Sequence, residues 1–213
     1  EPLVAWARLW PVIQALLSQF KRVRQPDIPK LIRTIANGDI PVRIPRKIRQ
    51  QWAANVQVLV EYSERTELFN EDYNQLLAQM LRLRGSTGFA VQQVLDRPGQ
   101  FVRIRQGDRY QHRKWRLPEA GGEILILSDL GLLDASGSSQ KDWLRFGKKL
   151  RATGFQPLVL LPLPKRYLTQ ETVAVFDCVC WSRQSDLQPV QWVSKSGGQK
   201  KDAQASKDLL AWL

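Results

Sequence analysis

The chain has 213 residues, 43% hydrophobic and 24% charged, enough for one sizeable domain with appendages or two small ones. Its 32 basic and 20 acidic residues give a formal charge of +12, which points to nucleic acid, anionic lipid or an acidic protein as partners. No apolar run approaches the roughly 18–20 residues of a membrane span, and the apolar stretch at 3–20 lacks a basic segment before it, so neither a membrane helix nor a signal peptide is read.

In chain order, Leu3, Trp6, Leu9, Trp10, Ile13, Leu16, Leu17 and Phe20 have the spacing of an amphipathic helix, which Pro11 would kink or restart. Asp27 reads as an N-cap with Pro29 in the first turn, and Ile28, Leu31, Ile32 and Ile35 give a short second helix ended by Asn37-Gly38. Residues 40–49 (IPVRIPRKIR) read as an extended basic linker. The first strand is Val56–Val60, followed by a loop and a helix faced by Tyr73, Leu76, Leu77, Met80, Leu81 and Leu83 that closes at Gly85. Phe89–Leu95 is a second strand. Within 97–116, Phe101, Val102 and Ile104 mark a short strand and the rest reads as a basic loop. Ile124–Leu127 is a third strand. Gly137-Ser-Ser139 and Asp142 open a helix over 143–153, and Pro157–Leu161 is a fourth strand. Residues 172–181 read as a short helix or strand, and 194–207 as a polar linker.

Most of these strands are continuous apolar runs, which a sheet covered on both faces requires. The fold class is therefore α/β, three-layered and mostly parallel, Rossmann-like, with an N-terminal helical extension. The expected division is a basic helical extension and linker over 1–50, the α/β domain over 51–185, and a polar linker with the start of a further helix over 186–213. Both ends read as cut, so a fragment of a longer protein is expected. Cys178 and Cys180 read as plain buried thiols, kept from pairing by the alternation of a strand, in a reducing, cytoplasmic compartment.

In open parallel sheets ligands sit beyond the carboxyl ends of the strands. The residues that follow the strands here are Glu61, Tyr62, Ser63, Glu64 and Arg65; then Ser128, Asp129, Gly131 and Asp134; then Pro164, Lys165 and Arg166. Glu61 and Asp129 would meet if their strands were neighbours. Val58-Leu-Val-Glu-Tyr-Ser-Glu-Arg65 resembles the first strand and loop of a von Willebrand factor A domain. Ile124-Leu-Ile-Leu-Ser-Asp-Leu-Gly131 resembles its later strand, which normally ends Ser/Thr-Asp-Gly. The helix ending Leu150-Arg-Ala-Thr-Gly154 and the strand Pro157–Pro162 fit the same family, most closely the bacterial branch associated with MoxR-type ATPases.

The resemblance implies a vWA-like domain of a bacterial multidomain protein and a metal site built from Asp-x-Ser-x-Ser, a threonine and an aspartate. Against that pattern Ser63 and Asp129 match, Glu61 is one methylene too long, Arg65 puts a cation where a ligand hydroxyl belongs, Leu130 intrudes before the glycine, and the threonine loop is missing. The expectation is a degenerate metal site with no catalytic residue and no cofactor, Mg²⁺ being the one ion left open. The domain would act as a non-catalytic recognition or scaffold module for other domains of the same protein or for a protein partner, with no membrane. The 3–20 helix would pack on that partner.

A second reading is nucleic-acid binding through two basic clusters: Arg43, Arg46, Lys47 and Arg49; and Arg103, Arg105, Arg109, Arg113, Lys114 and Trp115. A third is a metal-dependent nuclease or phosphatase centred on Glu61 and Asp129, with Asp134 as a further carboxylate or Lys165 as a phosphate partner. His112 is the only histidine, and no nucleophile elbow accompanies it. Neither a Walker A loop nor a dinucleotide fingerprint is present.

Overall fold

The structure is a computed structural model and describes residues 3–106, 109–119, 121–183, 187 and 190. Its elements are α1 (Trp6–Leu16), β1 (Ser18–Pro26), α2 (Ile28–Ala36), β2 (Arg46–Trp52), β3 (Val56–Glu61), α3 (Asn70–Arg84), β4 (Phe89–Leu95), β5 (Phe101–Gln106), β6 (Arg109–Lys114), β7 (Glu123–Leu127), α4 (Ser138–Ala152), β8 (Leu158–Leu161), α5 (Gln170–Val175) and β9 (Asp177–Cys180), with short 3-10 turns at Glu64–Phe69 and Lys165–Tyr167.

Seven strands form one sheet in the order β6-β5-β4-β3-β7-β8-β9. The pairs β3–β4, β3–β7, β7–β8 and β8–β9 are parallel, and β5 alone runs against them, antiparallel to both β4 and β6. The strand residues alternate between two apolar clusters. Val56, Val58, Val60, Leu125, Leu127, Leu158, Leu160 and Val179 share one cluster with α1 and α3. Leu59, Ile124, Ile126, Val159, Leu161, Cys178 and Cys180 share the other with α4 and α5. Both faces of the sheet are thus covered, which is why its central strands carry no polar alternation. Burying each such aliphatic side chain contributes about 1.5–3 kcal/mol, and the central strands concentrate many of them.

Several sequence expectations change. Pro11 lies inside one continuous helix, which does not restart there. That helix is spent on the chain's own core, since Leu9, Ile13 and Leu17 are buried in the first cluster beside Tyr73 and Met80. The basic linker is in part a strand: β2 pairs antiparallel with β1 in a separate two-stranded ribbon. The basic loop after β5 is a strand as well, because β6 completes a hairpin in register from Phe101↔Lys114 to Gln106↔Arg109. Residues 172–181 hold both a helix and a strand. Cys178 and Cys180 are free and buried, and they share one face of β9, so strand alternation does not separate them; burial pushes the Cys178 thiol far up. The 194–207 linker lies outside the described residues.

The ribbon is joined to the sheet at its base. Trp52 stacks on Trp10 with ring centroids 5.1 Å apart, and the Arg84 guanidinium lies over Trp52 while donating to the Ala53 and Ala54 carbonyls at 2.6 and 3.1 Å. Asp27 caps α2 by accepting the Lys30 amide, with Pro29 in the first turn. Among the described residues no helix is long and apolar enough to cross a membrane.

Candidate functional site

The chain leaves β3 toward β4 on one side and continues through β7, β8 and β9 on the other, so the crevice between the carboxyl ends of β3 and β7 is where the winding reverses. The register pairs Val60 with Leu127, which places Glu61 beside Ser128 and one residue from Asp129. The two strands are neighbours, and their terminal acids meet through a single cation.

That cation is Arg65. Its Nη2 donates to Glu61 Oε1 at 2.5 Å, and its Nε lies 3.5 Å from Asp129 Oδ2. The other Glu61 oxygen accepts from Ser128 Oγ at 2.5 Å and from Trp143 Nε1 at 3.2 Å. The Glu61 carboxyl is held above its ordinary value, chiefly by burial, against the opposing hydrogen bond from Ser128; the charge of Asp129 adds to the rise and that of Arg65 resists it.

Asp129 has no exposed surface. Leu130 and Gly131 take positive φ angles of 54° and 70°, turning the chain so that following amides face back onto the aspartate. Asp129 Oδ1 accepts from Gly131 at 3.0 Å, and Oδ2 from Leu133 at 3.1 Å. Ser128 Oγ accepts from Leu130 at 2.7 Å. The left-handed leucine is strained, and its side chain is buried in the α4 cluster, which offsets that strain. A Cβ on Gly131 would come within 2.4 Å of the Gln140 amide, so the close approach of this loop to α4 needs glycine.

Ser63 is used locally. Its amide donates to Thr66 Oγ1 at 2.9 Å, and buried Thr66 donates onward to the Glu61 carbonyl at 3.0 Å. This reciprocal capping fixes the turn that carries Arg65 back over its own strand. Tyr73 lies beneath the site, fully buried; burial and then the charges of Asp129 and Glu61 push its phenol well up. A polar cleft of about 230 Å³ opens above, lined by Glu61, Ser63, Arg65, Asp96, Asp142 and Trp143 among others.

The other sequence candidates lie elsewhere. Asp134 takes no part in the cluster: its carboxylate accepts the amides of Ser139 at 2.9 Å and Ser136 at 3.0 Å, starting α4 at Ser138 and not at Trp143, and those bonds hold its pKa well below the usual carboxylate range. Lys165 follows β8, and its charge acts on Cys180. His112 stands on β6, three strands from β3, accepting from Arg103 Nε at 3.2 Å.

The basic residues fall in two places. Arg43, Arg46, Lys47 and Arg49 belong to the segment leading into β2 and to β2 itself; Arg103, Arg105, Arg109, Arg113 and Lys114 belong to the β5–β6 hairpin at the sheet edge. Trp115 is a correction. It is buried, with its ring edge-to-face on Phe146 at 5.1 Å, because its amide bonds the Gln100 carbonyl and turns it under α4. It cannot stack on a base. Sequence reasoning named Ser128 at its strand end but not its bond to Glu61, and it missed Trp143 altogether. The strand-end position of Ser128 was a usable signal; nothing in the sequence pointed to Trp143.

Among the described residues no group of three or more histidine, cysteine, aspartate or glutamate side chains converges on a point where a metal ion could be held. Compared with known protein families, curated proteins and solved structures, the chain matched none.

Proposed function

We propose that the α/β domain is a vWA-like, non-catalytic recognition module of a larger bacterial protein, in which an arginine stands where the family's metal would be. The observation that carries this reading is the position of Arg65, between the carboxylates that end β3 and β7. Mg²⁺ needs several free oxygen ligands in a near-octahedral shell. Here both Asp129 oxygens are taken by loop amides, one Glu61 oxygen is taken by Ser128 and Trp143, and the Ser63 turn is closed by Thr66. The residues present do not fit the ion. A fixed internal cation offers rigidity without metal dependence, and the cleft above it, with Asp96 and Asp142 on its rim, offers polar groups for a protein partner.

The test is to rebuild the site. Glu61→Asp combined with Arg65→Ser restores the Asp-x-Ser-x-Ser pattern. The expected result is no change in the melting temperature of the natural chain in millimolar Mg²⁺ or Mn²⁺, and a metal-dependent rise in the double variant. Stabilisation of the natural chain by Mg²⁺, or phosphodiester hydrolysis that Asp129→Asn abolishes, would favour the nuclease or phosphatase reading instead.

One observation favours nucleic acid as a second reading. All six residues of β6 are exposed, and the Arg103 guanidinium lies over the Tyr110 ring, giving a ribbon of cations and an aromatic at the sheet edge. Binding to single-stranded DNA that weakens steeply with salt and falls with Arg109→Ala and Arg113→Ala would support it. Absence of binding at low salt would dismiss it.

A further inference from the structure

The segment from β1 through β2 leaves aliphatic side chains uncovered. None of the nine residues of α2 is buried, although Ile28, Ile32 and Ile35 fall on one helical face with Leu31 beside them. Ile32 is 61% exposed. The chain beyond α2 continues the pattern with Ile40, Val42 at 97% exposure, Ile44 and Ile48. A helix this short is marginal in water without an apolar face to pack on. Exposed aliphatic side chains gathered on one helical face mark an interaction site.

The charge of the arm says what covers it. Residues 21–49 carry nine basic residues against Asp27 and Asp39, and Asp27 is already committed to capping α2. Pairing of two such arms face to face would oppose like charges. The acidic surface of this same chain, around Glu64, Glu67 and Glu71, offers one exposed apolar residue, Leu68, too little to cover the arm. A nucleic-acid surface would use aromatic rings, whereas Trp52, on β2, is half-buried against Trp10. An amphipathic anchor in a lipid surface would carry tryptophan, phenylalanine or leucine along a longer helix. An acidic helix with an apolar stripe complements both the isoleucines and the cations.

We propose that the arm formed by β1, α2 and β2 is a docking surface for an acidic amphipathic helix of a partner protein. The proposal is independent of the Arg65 site, so Arg65→Met would leave it intact. It is tested on the whole chain with a fluorescent peptide of glutamates carrying leucines at i, i+3, i+4 and i+7 spacing, beside a permuted peptide of the same composition. The patterned peptide is expected to bind about tenfold or more tightly than the permuted one, a difference of about 1.4 kcal/mol. Ile32→Asp with Ile35→Asp is expected to abolish that preference without changing the melting temperature, and Arg33→Glu to weaken binding. Equal binding of both peptides, no binding, or insensitivity to Ile32→Asp would overturn the proposal. So would isoleucine-dependent binding to phosphatidylglycerol-containing vesicles or to single-stranded DNA in place of the peptide, or arm-dependent dimers seen by light scattering.

Discussion

In the central sheet Val58, Leu125 and Leu160 lie on the face covered by α1 and α3 and have no exposed surface; in the arm Ile28, Ile32 and Ile35 show the same aliphatic chemistry to solvent. The two regions also belong to different sheets, one of seven strands and one a two-stranded ribbon. The difference teaches that aliphatic content alone does not make a core. In the sheet, helices packed on both faces supply the covering layers. The ribbon has only two strands, too few for independent stability. Its one helix turns its isoleucines outward.

Truncations give the largest test of this contrast. Leu127→Ala should cost about 2–5 kcal/mol in urea denaturation, as a buried large-to-small change does. Ile32→Ala should stay within about 0.5 kcal/mol, as exposed substitutions do. Comparable losses at the two positions would mean that the arm is folded into the same core, and the contrast would fail.

Next in size is the charge cluster that the sheet buries and the arm has no counterpart for. Arg65→Met leaves Glu61 and Asp129 as neighbouring carboxylates without their shared cation. A loss of about 3 kcal/mol is expected near neutral pH, because breaking a buried pair strands its partners. The loss should shrink toward acid pH, where the stranded carboxylates protonate. A loss unchanged between acid and neutral pH would show that Arg65 acts through packing alone.

The smallest effect is a slope. Burial raises the Glu61 carboxyl above its unfolded value, so the folded state binds more protons than the unfolded state between those two values. The stability contributed by this group is complete below the ordinary glutamate value and is lost as pH rises through the folded one. Glu61→Gln removes that loss while keeping an oxygen for Ser128. Relative to the natural chain, the variant should therefore gain stability from acid pH upward and then level off. A relative gain toward acid pH would mean that the Arg65 pair outweighs burial.

How much was legible follows the physics of each region. The strands β7 and β8, and most of β3, were readable because a doubly covered sheet writes itself as apolar runs, whereas β4 carries Gln92 and Gln93 within its run. Helices α2 and α3 were readable from spacing, from Asp27 and from Gly85. The strand nature of Arg46–Trp52 and of Arg109–Lys114 was hidden, since ribbon and edge strands need no apolar face, and their basic residues read as linker and loop. Within the site, Glu61, Ser63, Arg65 and Asp129 could be picked out because a parallel sheet gathers its strand ends. That Trp143 donates to Glu61 depends on how α4 packs, eighty-two positions along the chain.

The sequence by itself determined the class of fold, the order of most elements and the acids placed where strands end, because hydrophobic period and turn chemistry are local properties. Only the tertiary structure decided that Arg65 spans the two carboxylates, that Trp115 is core and not surface, that α1 belongs to the sheet's own packing, and that the isoleucines of α2 remain uncovered. Those outcomes depend on which surfaces meet, and that is fixed by register, sheet order and burial between segments far apart in the chain.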